Sequence, residues 1–207
     1  MSPMPILPVF VLISLCMLPG APVVASPDAK AVLLVARPEV DAPYFERSVV
    51  LVARHGRDAA IGLILNLPTD VPISRLSGAD DVDTREDQPL YLGGPVDRQR
   101  TVFLRRSPYP LPASLHLGDD IYMSENPTVL QEALEAGAGA DQLRVFKGFS
   151  GWAPGQLENE IERGDWLVLP VDPDLVFANP EGLWERLMIQ NRDGRWVEWR
   201  SPTVQSG

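Results

Sequence analysis

The chain is poor in several chemistries at once. Its 207 residues include one cysteine, Cys16, and two histidines, His55 and His116. A single thiol excludes an internal disulfide and a multi-thiolate metal site. Two histidines leave little material for a histidine-rich zinc centre or a nucleophile–base pair. Aromatic residues make up only 7%. No glycine pattern of Walker or dinucleotide type follows a strand, so nucleotide binding has no support. The formal charge of −10 repels phosphate backbones and anionic lipid headgroups, which disfavours sequence-independent binding to either. The densest charged run, DDVDTRED at 80–87, lies between turn-like segments and reads as a solvated loop.

Charge is also missing from residues 1–25, within which VFVLISLCML at 9–18 forms an apolar run of the length of a signal-peptide h-region. Small residues at Val23, Val24 and Ala25 suit a signal peptidase, so 1–25 is expected to be a signal peptide cut before Ser26, giving a periplasmic or secreted product. Two rivals stay open, because no cationic n-region precedes the run and prolines stand at 3, 5 and 8. One is an uncleaved anchor; the other is a start codon assigned too far upstream, with a cytoplasmic product. The run is about half the ~20 residues a spanning helix needs. Leu15 directly before Cys16 argues against lipoprotein processing. Cleavage would remove Cys16 and leave a mature chain without stable membrane insertion.

What remains is 45% apolar over the whole chain, enough for one core and too short for two independent domains. We read one domain at 26–190 and a C-terminal extension at 191–207. AVLLVA (31–36), SVVLVAR (48–54) and AIGLILN (60–66) have strand lengths and β-branched content. The turn HGRDA makes the second and third an antiparallel hairpin. Thr69 or Asp70 is expected to cap a short helix at 72–76. LYL, GGPVDR and TVFLR read as a second hairpin around Gly93 and Gly94. Residues 124–127 open a helix with Val129, Leu130, Ala133 and Leu134 on one face, ending near Gly137. LRVFKGF is a strand, SGWAPG a glycine-rich turn, and QLENEIER a helix with Leu157 and Ile161 inward and Gln156, Glu160 and Arg163 facing elsewhere. Gly164 terminates it, WLVLPV follows as a buried strand, Asn179 and Pro180 open a last helix, and RWVEWR is expected to add a terminal strand. Strands first, then helices interleaved with strands, give an α+β class with a mostly antiparallel or mixed sheet.

Catalytic patterns are weak. Gly148-Phe149-Ser150-Gly151-Trp152 approaches a nucleophile elbow but has Trp152 where the second glycine belongs, so Ser150 is not read as a nucleophile. His55 with Asp58, and His116 with Asp119 or Asp120, carry carboxylates three or four residues on, a spacing compatible with divalent-ion ligation. His55 in a polar turn and His116 in a loop are more simply solvated side chains. Glu158 and Glu160 point about 200° apart on a helix and cannot act together, whereas Glu158 and Glu162 share a face. No catalytic residue, metal ligand or cofactor is assigned. The ligand-binding candidates come from the two glycine segments: Gly93 and Gly94 in one, Trp152, Gly155 and Gln156 in the other, with Asn66 and Arg98 as polar partners. The positive end of the helix after Gly155 suits an anion or peptide carboxylate. Alternatively Trp152 plugs the core and the glycines only permit sharp turns.

The stretches YFERSVVLVARHGRDAAIGLILNLPT, LYLGGPVDR, FKGFSGWAPGQLENEIERGDWLV and LWERL occur in the order and spacing of the YqgE/AlgH family (UPF0301, DUF179), which the chain resembles over roughly residues 31–188. The resemblance implies a compact α/β domain whose strongly curved, mixed and largely antiparallel sheet is flanked by helices. Its functional label, regulation of alginate production in some members, names a process rather than a mechanism. Leu67 stands where members carry a basic residue, so an anion-binding role is not transferred to it. An exported N-terminus departs from a usually cytoplasmic family, and the tail with Trp196 and Trp199 lies outside the pattern. The leading expectation is a non-enzymatic binding or regulatory protein with a protein partner or small ligand. A metal-dependent hydrolase and an envelope structural or assembly factor are the alternatives.

Overall fold

The computed structural model describes residues 31–40, 42–55, 59–76 and 88–192. The expected signal peptide with Cys16, the acidic run at 80–87, Asp58 and the expected strand RWVEWR lie outside the described residues. The chain opens with β1 (Ala31–Ala36), β2 (Val49–His55), β3 (Ala59–Ile64) and β4 (Pro68–Pro72), then a 3-10 turn at Ile73–Arg75. Next come β5 (Pro89–Leu92), β6 (Val96–Arg106), β7 (Ser114–Gly118), β8 (Ile121–Ser124) and α1 (Pro127–Glu135). It closes with β9 (Leu143–Trp152), α2 (Gln156–Arg163), β10 (Trp166–Leu169), α3 (Pro173–Val176) and α4 (Leu183–Arg192). No described helix is long and apolar enough to cross a membrane.

The strands form one sheet in the order β10-β1-β2-β3-β9-β6-β8-β7, with β4 and β5 attached beside β9. All pairings are antiparallel except β5 with β9. The sheet curls into a half-barrel, the α+β architecture expected.

Three apolar clusters follow from the curl. Leu33, Val35, Leu51, Leu104 and Phe146 fill the inside together with Val176 of α3 and Leu183 and Leu187 of α4. Val32, Leu34 and Val50 face the other way, against Trp152, Leu157 and Trp166 beneath α2. Thus β1 is buried on both faces, which is why its sequence is an unbroken apolar run rather than an alternating one. The third cluster packs Val129, Ala133 and Leu134 of α1 on Phe103, Leu143 and Val145. Asn126 caps α1 by accepting from Thr128 N–H at 3.0 Å.

Five local expectations are corrected. Residues 68–72 form a strand, not the approach to a capped helix: the Thr69 hydroxyl donates to Leu90 O at 2.8 Å, and the flanking prolines suit a short edge strand. Only the 3-10 turn remains of the helix at 72–76. β5 and β6 do not form a hairpin, because β9 runs between them: Phe146 opposes Tyr91 on one side and Val102 on the other. SGW is strand rather than turn, pairing through Ser150, Gly151 and Trp152 with Gly62, Ile61 and Ala60. His116 lies in β7 rather than a loop. Glu160 does not face away; its carboxylate turns in under α2 onto two indoles.

Candidate functional site

β9 organises both candidate regions. At Gly148, with φ +69, it bends and exchanges β5 for β3 as its neighbour. A β-carbon at Gly148 would lie 2.8 Å from Val96 O and 2.9 Å from Gly94 O. One at Gly93 would collide with Gly148 O and approach Leu63 Cδ2 to 2.9 Å. Gly93 and Gly94 therefore form a backbone crossing that any side chain would pry open. Ser150 Oγ, fully buried, donates to Gly93 O at 3.1 Å and seals this crossing.

Trp152 and Gln156 meet at Glu160, together with Trp166. Glu160 Oε2 accepts from Trp152 Nε1 at 2.8 Å and Trp166 Nε1 at 2.9 Å, and Oε1 accepts from Gln156 Nε2 at 3.0 Å. Both tryptophans are 3% exposed, so this carboxylate satisfies the only polar atom on each indole. Gly155 takes a left-handed conformation (φ 74) to start α2, and Gln156 Oε1 folds back to accept from Ala153 N–H. Phe45 stacks on Trp152 with centroids 5.7 Å apart, and its neighbour Tyr44 receives the Arg98 Nη2 hydrogen bond at 3.1 Å.

A first cleft of about 580 Å³ opens off the inside of the curl. Its walls are Ile61, Leu115, Met123, Phe149 and Trp152, and Arg100 and Glu125 stand at its edge. Arg100 pairs with Glu125 at 2.8 Å while its guanidinium lies 5.5 Å from the Phe149 ring centre.

A second cleft, about 880 Å³, is walled by β4–β5, the start of β9 and the α3–α4 connection. Asn66 and Arg144 both line it. Asn66 Oδ1 accepts from Val49 N–H at 2.8 Å and its Nδ2 donates to Arg47 O at 2.9 Å, which holds Arg47 at φ 54. The Arg47 side chain pairs with Glu185 and lies over Trp184. Leu67, between two cleft residues, is 39% exposed.

Arg144 is 2% exposed. Its Nη1 donates to Leu65 O and Val176 O, its Nη2 to Ala178 O at 2.7 Å, and the guanidinium lies 4.7 Å from the Tyr91 ring centre. Burial pushes its pKa below the ordinary arginine value, partly offset by Tyr91. Sequence reasoning passed over this residue. The available signal was a cation inside the apolar strand LRVF, since a charge at such a position stays only where it is bonded.

The remaining candidates are placed as follows. His116 Nε2 contacts Asp119 O at 2.7 Å and its ring packs tilted by 30° against Tyr122, while Asp120 Oδ2 accepts from Arg106 Nε at 2.7 Å. His55 ends β2, and its sequence partner Asp58 is outside the described residues. Among the described residues no group of three or more His, Cys, Asp or Glu side chains gathers as a metal site. Glu162 is exposed on α2 and Glu158 half-buried.

Fold and clefts define a curled-sheet α+β domain in which one bent central strand supplies walls to two separate cavities. The chain belongs to the AlgH-like family (DUF179), whose profile matches residues 33–193. A UPF0301 protein of Methylococcus capsulatus is 37% identical over 165 residues, covering 78% of this chain and 90% of that one. A UPF0301 protein of Vibrio cholerae is 34% identical over 71% of this chain and 82% of its own. The solution structure of the AlgH protein from Pseudomonas aeruginosa superposes with a TM-score of 0.65 at 30% identity, covering 88% of this chain and 97% of the other. A crystal structure from Corynebacterium diphtheriae gives the same score and identity over 81% and 88%. The expected family and fold are thereby established; the family's biochemical function is uncharacterised.

Proposed function

We propose that this protein is a non-enzymatic binding protein, acting as a regulator through occupancy of the first cleft by a small amphipathic molecule. The observation that carries this reading is the cleft's composition: half-buried Ile61, Leu115 and Phe149 beside buried Met123 and Trp152, with one ion pair at the edge. A cavity of this size with apolar walls and few polar groups suits a ligand with an apolar body and one charged group. An anionic head would compete with Glu125 for Arg100, already oriented over Phe149. The reading includes export, with residues 1–25 removed before Ser26.

The test uses 8-anilinonaphthalene-1-sulfonate, an amphipathic anion whose fluorescence rises in apolar surroundings. Saturable fluorescence should accompany a shift of the Met123 methyl resonance, and Leu115→Glu should abolish both. An unmoved Met123 methyl at saturation would overturn the reading.

A further inference from the structure

The second cleft combines features that the first lacks. Arg144 has five N–H donors; both on Nη1 and one on Nη2 are engaged with Leu65, Val176 and Ala178 carbonyls. Among the described residues Nε–H and the second Nη2–H have no acceptor and no carboxylate pairs with this cation. Carbonyls orient a guanidinium without neutralising it, so Arg144 presents uncompensated positive charge in a low-dielectric wall. An anion reaching it gains a charge-assisted, geometrically directed contact.

The same cleft carries opposite charge at its rim. Asp141 and Glu181 are exposed and line the cavity; among the described residues neither carboxylate makes a hydrogen bond or ion pair, and Asp141 acts on Arg105 through its charge alone. Arg47 and Glu185, also at the rim, are engaged with each other. A dianion such as phosphate would meet these carboxylates on its way to Arg144. A molecule carrying both signs would satisfy each group. The volume, about 880 Å³, lies near the upper end of small-ligand cavities, which run to about 1,000 Å³, and Pro68, Pro89, Tyr91 and Phe177 supply apolar surface along it.

We infer that the second cleft is a binding site for a short zwitterionic peptide, its carboxylate seated against Arg144 and its ammonium group against Asp141 and Glu181. The site is distinct from the amphipathic-ligand cleft and does not depend on it.

The experiment titrates the full chain, isotopically labelled for NMR, with trialanine, N-acetyl-trialanine, trialanine amide and inorganic phosphate. Trialanine should shift the amide resonances of Asp141, Ala178 and Gly182 saturably and leave the Met123 methyl in place. Each blocked peptide should bind about ten-fold or more weakly, as expected for one lost charge-assisted contact. Asp141→Asn combined with Glu181→Gln changes only exposed side chains; it should weaken trialanine and leave N-acetyl-trialanine unchanged. No saturable shift with trialanine, equal binding of the blocked forms, phosphate binding tighter than trialanine, or an unaffected double variant would each overturn the proposal. A trialanine-induced shift confined to Met123 would place the peptide in the other cleft and overturn it as well.

Discussion

Replacing Glu160 by alanine removes the acceptor that two buried indoles share. Trp152 Nε1 and Trp166 Nε1 lie 2.8 and 2.9 Å from the same oxygen, and both side chains are 3% exposed. Each buried donor left unpartnered costs about 1–3 kcal/mol, so Glu160→Ala should lose about 2–6 kcal/mol. The Gln156 contact is at the surface and adds little. For a chain of this size about 2–4 °C of Tm accompanies each kcal/mol, giving a fall of about 4–24 °C. Glu160→Gln keeps one carbonyl oxygen able to accept from both indoles and forfeits the charge and the exposed Gln156 contact, so it should lose about 1 kcal/mol. Glu162→Ala, on the same helix but exposed, should stay within about 0.5 kcal/mol of the parent. Urea unfolding followed by circular dichroism measures the differences, and hydrogen exchange of the two indole N–H resonances localises them. If Glu160→Ala loses less than about 1 kcal/mol while both indole protons remain protected, the carboxylate does not anchor α2 to the sheet and the reasoning fails.

Gly93→Ala places a methyl group on Gly148 O, where backbone faces backbone and no side chain can yield; soluble folded protein should be lost, read by the dispersion of an amide NMR spectrum. Asn66→Ala frees Val49 N–H and the Arg47 carbonyl together, with an expected loss of about 1–3 kcal/mol and faster exchange of the Val49 amide in particular. Arg144→Met leaves the Leu65, Val176 and Ala178 carbonyls without their donor. It should destabilise by about 3 kcal/mol or more and open residues 173–182 to limited proteolysis before the rest of the chain. Intact-mass analysis of the protein expressed from its full reading frame should find a periplasmic species beginning at Ser26; an unprocessed cytoplasmic species would refute export.

Much of the chain was legible where short-range rules act alone. The apolar run of β1, the β2–β3 hairpin, the opening of α1 at 124–127 with Pro127 in its first turn, and α2 between Gly155 and Gly164 all depend on neighbours within a few residues. The β7–β8 hairpin was missed although it carried a local signal, Gly-Asp-Asp: Gly118 ends β7 at positive φ opposite Ile121, and Asp119 and Asp120 form the two-residue turn. Four family motifs in sequence order were also sufficient to identify the AlgH-like fold. Other features belong to the tertiary structure. Gly93 and Gly94 announce a sharp bend, but whether β6 returns along β5 or β9 enters between them is decided by residues about fifty positions away.

The site divides in the same way. Trp152, Gly155 and Gln156 were visible as a motif, yet Glu160, three residues after Leu157, stands only at the flank of the apolar face, and nothing local says what its carboxylate meets. Only the docking of α2 against β9 and β10 brings two indole donors to that carboxylate. Arg144 was visible only as a cation in an apolar strand, because the carbonyls that hold it come from Leu65, Val176 and Ala178. Sequence alone determined the class and those elements whose signals are local, such as β1, the β2–β3 hairpin, α1 and α2, since propensity, capping and hydrophobic period act over a few residues; β4 and the strand extension through Trp152 escaped it. The strand neighbours, the buried charge and both clefts were decided by long-range packing, which depends on contacts that no stretch of sequence contains.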